Sequence, residues 1–142
     1  MNDWEYFKII KPYLQNEEVQ KMIDIKHHLV NRLSHCLSVS YYSFLICKKI
    51  KWNYKAVAKA ALFHDFYFTK IKDEDGIKDK IEEFANGHAE EAYLNAVKNF
   101  HLSPLEENII LSHMWPLSKY RPKYKEAIIV GLVDKLMTLF GH

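Results

Sequence analysis

Residues 61–66 read Ala-Leu-Phe-His-Asp-Phe and set an imidazole beside a carboxylate inside an apolar run. Burying such groups without partners is costly. Neighbours on a helix point about 100° apart, so both can turn toward one point only at a helix end. The preceding residues fit that ending: Asn53 starts a helix whose apolar positions are Val57, Ala60, Ala61 and Phe63. Moving outward from His64 and Asp65, the same oddity recurs. His35 lies in an earlier apolar stretch, His88 near the start of a later one, His113 in LSHMW (111–115) and Asp134 in GLVDKL (131–136). Taken singly, His35, His64 or His113 is more simply a core histidine with its bonds made. His88 near a helix start could cap, and Asp134 could pair with a Lys or Arg. Five helices each carrying such a residue point instead to one shared partner, a divalent metal. Imidazole with carboxylate suits Fe, Mn, Zn, Co or Ni better than Mg or Ca, so one or two divalent transition metals are expected.

The wider chain reads as all-α. Its 142 residues favour a single domain over 1–142, and 49% hydrophobic with 27% charged residues is ordinary for a soluble globular protein. Four Gly and four Pro are few for strands joined by tight turns. Five to seven helices and no strand are expected, with a core over about 30–140 and one or two N-terminal helices over 3–28. Asn16 with Glu17 and Glu18 marks a helix start. From there the chain runs with few breakers to Lys51, with a kink or joint at His27-His28; Leu29, Leu33, Cys36, Leu37, Ser40, Phe44 and Cys47 form its apolar face. Residues 66–85, with the charged run KIKDEDGIKDKIEE, read as a long loop or a loop with one helical turn. Asn86 would cap a helix over 87–100. Ser103-Pro104-Leu105-Glu106 spells a capping box with Pro at the first position. That helix ends by Pro116, and a Lys-rich connector leads to a last helix over 124–140.

A formal charge of +2 is too small to argue for nucleic acid. Cys36 and Cys47 stand roughly 16 Å apart along one helix, beyond the roughly 7 Å that a disulfide spans, so both are expected as free thiols in a reducing compartment. The first residues lack the pattern of a signal peptide, and no run reaches the roughly 18 apolar residues of a membrane span. A cytoplasmic protein is expected. His27, His28, His101 and His142 are not expected to be ligands, and Cys36 points to another face than His35.

The ordered set His35, His64-Asp65, His88, His113 and Asp134, at intervals of 29, 1, 23, 25 and 21 residues, resembles the HD superfamily of metal-dependent phosphohydrolases. The strings ALFHDFYF, GHAEEAYLNA, LEENIILSHMWPL and GLVDKL resemble a branch common in Firmicutes. The resemblance implies an HD-domain helical bundle. It also implies one metal on His35, His64, Asp65 and Asp134, and a second on His88 and His113 with Asp65 bridging. It further implies cleavage of a nucleotide or small phosphate ester or anhydride by a metal-activated water that Asp65 orients. No GYP follows the pair, which weakens a cyclic-dinucleotide substrate. Cations should meet phosphate. Arg32 lies three residues before His35, Lys70 follows the pair after Phe66-Tyr67-Phe68-Thr69, Arg121 sits in the connector and Lys135 adjoins Asp134. Trp115 and Tyr120 could stack on a base or simply pack. The expected partner is a small phosphorylated, nucleotide-like substrate, with no membrane or nucleic acid and a homodimer left open. Two other readings remain: a non-catalytic metal- or nucleotide-binding sensor and a di-iron oxygenase of HD type.

Overall fold

A computed structural model describes residues 2–27, 30–69 and 77–142. Seven α-helices are present among them: α1 (Asn2–Leu14), α2 (Glu17–Gln20), α3 (Arg32–Lys49), α4 (Tyr54–Leu62), α5 (Ile77–Asn99), α6 (Pro104–Ser112) and α7 (Lys125–Leu139). Among the described residues no helix is long and apolar enough to cross a membrane.

Helix α4 sits at the centre because its side chains are small. Ala56, Ala58, Ala60 and Ala61 are buried together with Val57 and Leu62. With alanines along its buried faces, it is reached by α3, α6, α1 and α7. Asn53 starts α4 as expected, its side chain accepting from the Ala56 N–H. Where α4 ends, Phe63 stacks on Phe100 with ring centroids 4.7 Å apart, and Tyr13 of α1 meets both rings edge-on. Tyr6 of α1 donates to Ser40 Oγ, which donates in turn to the Ala58 carbonyl. That chain ties α1, α3 and α4 together and satisfies both hydroxyls that form it. Cys36 and Cys47 are buried, free thiols.

Three sequence expectations change. The helix read from Asn16 to Lys51 is broken. After α2 the chain makes a 3-10 turn at Lys21–Asp24, and Lys26–His27 then pairs antiparallel with Val30–Asn31. The Arg32 N–H donates to the Ile25 carbonyl, closing this small ladder. Asn31 restarts a helix by accepting from the Ser34 N–H, the kind of side-chain cap that favours a new helix over a continuing one. His28 and Leu29 lie outside the described residues. The second change concerns 66–85, which is not all loop. α5 begins at Ile77, consistent with the high helix propensity of Lys and Glu. Third, Asn86 is therefore interior to α5 and caps nothing; its side chain accepts from the Lys119 N–H. His88 lies mid-helix and not in a first turn. The capping box at Ser103 and Glu106 is present as read.

Candidate metal centre

His64 and Asp65 lie in the turn just beyond α4, where the helical phase is lost and both side chains can face one point. α3 brings His35, α5 brings His88, His113 caps the C-terminus of α6 and α7 brings Asp134. All six side chains are buried. They fall into two sets, each with donor atoms within 4.8 Å of one another: His35, His64, Asp65 and Asp134, and Asp65, His88 and His113.

Asp65 belongs to both sets, and its two oxygens divide between them. Oδ2 faces His35 Nε2 at 3.3 Å and His64 Nε2 at 3.4 Å. Oδ1 faces His88 Nε2 at 2.6 Å and His113 Nε2 at 3.3 Å. On the first side, Asp134 Oδ1 is 2.8 Å from His35 Nε2 and 3.1 Å from His64 Nε2.

The histidines are held by their other nitrogens. His64 Nδ1 donates to the Ala61 carbonyl at 2.6 Å, and His113 Nδ1 to the Ile110 carbonyl at 2.7 Å. A carbonyl oxygen can only accept, so Nδ1 carries the hydrogen and each neutral ring aims its Nε2 lone pair inward. His35 Nδ1 meets the His142 backbone oxygen in the same way. The Nε2 atoms of His35 and His64 then stand 3.2 Å apart with Asp134 Oδ1 beside them. Three acceptors facing one another repel unless a cation or protons lie between them. His113 Nε2 is buried, 3.3 Å from Asp65 Oδ1 but with no well-directed hydrogen bond. This donor chemistry fits a divalent transition metal in each set.

Without an ion, protons take up the balance. Burial pushes the His35 imidazolium toward losing its proton, but hydrogen bonds to Asp134 and Asp65 outweigh it and raise the pKa to about 9. His64 follows: burial opposes the charge, and Asp65 and Asp134 raise the pKa well above the usual value. Burial raises Asp65, yet the charge of His64, then that of His88, carries it well below the carboxylate range. Asp134 is lowered the same way, chiefly by His64 against its burial. His88 is lowered, because burial there outweighs Asp65.

The expected cations are placed unevenly. Arg32 lies over the Tyr67 ring, 3.9 Å from its centroid, and donates to the Tyr67 carbonyl; its buried Nε has no partner. Lys135 Nζ donates to the backbone carbonyls of His113 and Gly131 at 3.3 Å, so it holds the His113 main chain. Arg121 lies over Trp115 at 5.0 Å, and among the described residues it makes no contact with the six-residue cluster. Lys70 lies outside the described residues.

Sequence reading missed the grip of α5 on the segment after His64-Asp65. His88 reaches Asp65, Glu91 accepts from the Phe68 N–H at 2.7 Å and the Thr69 N–H at 3.3 Å, and Asn95 donates to the Phe66 carbonyl at 2.8 Å. Tyr67 was missed as well; its ring centroid lies 3.6 Å from that of His88. The spacing of 88, 91 and 95 on one helical face was the available signal.

A scan of family models matched that of the HD domain to residues 32–139. Searches of curated proteins and of solved structures returned no match.

Proposed function

The chain belongs to the HD-domain family, and from that premise we propose that it is a metal-dependent phosphohydrolase acting on a nucleotide or small phosphate ester or anhydride. The observation that carries this reading is the divided carboxylate of Asp65. One oxygen serves His35 and His64, and the other serves His88 and His113. His35, His64 and Asp134 would hold one cation and His88 and His113 a second, with Asp65 shared between them. When bound, such a pair supplies Lewis acidity toward phosphate oxygens and a hydroxide at neutral pH.

The protein's own groups do the rest. His64 and His113 are pre-oriented by the Ala61 and Ile110 carbonyls, so no ring must turn before use. Asp134 supplies the second carboxylate on one side and balances the charge there. Arg32, with an unpartnered buried Nε, is the cation best placed to receive a phosphate oxygen, and charge-assisted bonds from guanidinium to phosphate are strong. Lys135 acts on His113 through its backbone. No Ser or Cys nucleophile is needed.

Metal content of the purified protein, followed by phosphate release from nucleotides and simple phosphate esters with added Mn or Fe, tests the proposal. Hydrolysis that disappears on chelation and in Asp65→Asn is expected. A fully metallated protein inert toward every phosphate ester and anhydride offered would remove the hydrolase reading.

A further inference from the structure

The outer face of α7 carries an apolar ridge that nothing in the described chain covers. Ile128, Leu132, Leu136, Leu139 and Phe140 are each at least half exposed. Steps of four residues, then three, keep them on one side of the helix. The two lysines that flank the ridge are folded away from it. Lys125 Nζ lies 4.8 Å over the Trp52 ring, and Lys135 Nζ is turned to the His113 carbonyl. Beside the ridge runs a groove of about 210 Å³ between α7 and the segment after α6, with Trp115, Pro116, Pro122 and Gly131 among its walls. Gly131 has no side chain to fill it. Leu117, 52% exposed, extends the patch on the far bank.

We propose that this ridge and groove form the interface of a two-fold homodimer, with α7 of one copy laid antiparallel across α7 of the other. Together these side chains present on the order of 600 Å² of apolar surface, at the upper limit of what lone monomers expose. Two copies would bury roughly 1,200 Å², which reaches the range of specific, stable interfaces. A two-fold axis at Leu132 sets that residue against its own counterpart, Ile128 against Leu136, and Tyr124 against Phe140. Leu139 falls opposite Lys125, whose Nζ is turned to the Trp52 ring; the other ridge residues meet apolar or aromatic partners. Contact reaching Tyr124 and Phe140, two turns either side of the axis, requires the two helices to lie nearly antiparallel, in the shallow class of about 20°. A second copy suits the patch because the ridge is self-complementary and carries no charge that a two-fold axis would set against itself. Such an interface abuts the metal centre at two places, the Lys135 contact with His113 and the His142 contact with His35.

Sedimentation equilibrium at micromolar concentration reads the outcome. Wild-type protein should run at twice 16.9 kDa, and Leu132→Glu and Leu136→Glu at the single-chain mass with an unchanged far-ultraviolet spectrum. Leu94→Glu, on the equally exposed outer face of α5, should stay dimeric. Leu132→Cys, which needs no buried space, should form an interchain disulfide on mild oxidation. It reads the same face even if the glutamate variants misfold. A wild-type protein that is monomeric, a dimer that survives Leu132→Glu, or a Leu132→Cys protein that never cross-links overturns the proposal. So does dissociation by Leu94→Glu.

Discussion

At Asp65 a single carboxylate faces four imidazole nitrogens, two through each oxygen. The two sides are unequal in ligand count, since Asp134 adds to the His35 and His64 side only. On the proposed reading with an ion in each set, substitutions should separate the two sets. His113→Ala removes one of three donors on the poorer side and should lower metal content from two ions to one per chain, with the His35, His64, Asp65 and Asp134 set still filled. Asp65→Asn should weaken both. Elemental analysis after gel filtration reads the numbers directly. Two ions retained in His113→Ala would mean that His113 is a buried histidine of no ligand value. His64, Asp65, His113 and Asp134 were legible because each places a titratable group in an apolar run, a local and costly event, and His35 and His88 were legible only as members of the ordered set. Tyr67 was not legible, because what distinguishes it is a ring contact with His88 and a bond from Arg32 to its main chain. Main-chain atoms are the same at every position, so sequence is silent about them.

At the scale of elements, α5 does more than present His88. Its Glu91 and Asn95 hold the backbone of 66–69, and that segment carries Tyr67 to the imidazole. Glu91→Ala leaves two N–H groups without their acceptor. An unsatisfied buried donor costs about 1–3 kcal/mol, and the partial exposure of this site favours the lower half. A fall in Tm of about 2–6 °C follows for a chain of this size. Glu91→Gln keeps an acceptor and should recover most of the loss. Thermal melts of both variants decide it; equal melts for wild type and Glu91→Ala would show that the clamp contributes nothing. The element boundaries explain which signals carry. The capping box at Ser103 was readable because four adjacent residues spell it. The start of α5 was misread because a charged run with Asp and Gly resembles a loop, and Asn86 resembles a cap only if the helix has not already begun. The ladder between Lys26–His27 and Val30–Asn31 has two residues a side, too few for an alternating pattern to show.

At the scale of the whole molecule, the centre joins the segment after α4 to four helices, α3, α5, α6 and α7, so what binds there should govern the stability of the bundle. The metal-free protein has a pH signature of its own. His35 is raised to about 9 from 6.5, and His64 moves in the same direction. Their pairing with the carboxylates is fully stabilising below pH 6.5 and is lost as pH rises through 9. Asp65 and Asp134 are lowered from 3.8, so their contribution is present above pH 3.8 and lost as pH falls further. His88 runs the other way: with its pKa lowered, it opposes folding as pH falls below 6.5. One imidazole against two leaves the metal-free Tm falling between pH 6.5 and 9. A bound cation reverses the slope, since it requires unprotonated Nε2 atoms and its affinity climbs as the histidines lose their protons. Ligand at a thousandfold its Kd stabilises by about 4 kcal/mol, which for this size is a rise of about 10 °C. Melts with chelator and with Mn at pH 6.5, 7.5 and 9 should therefore diverge, the gap widening with pH. Parallel curves would mean that the buried histidines hold their protons whether or not metal is supplied, and that the cluster is a charge network with no metal-binding function.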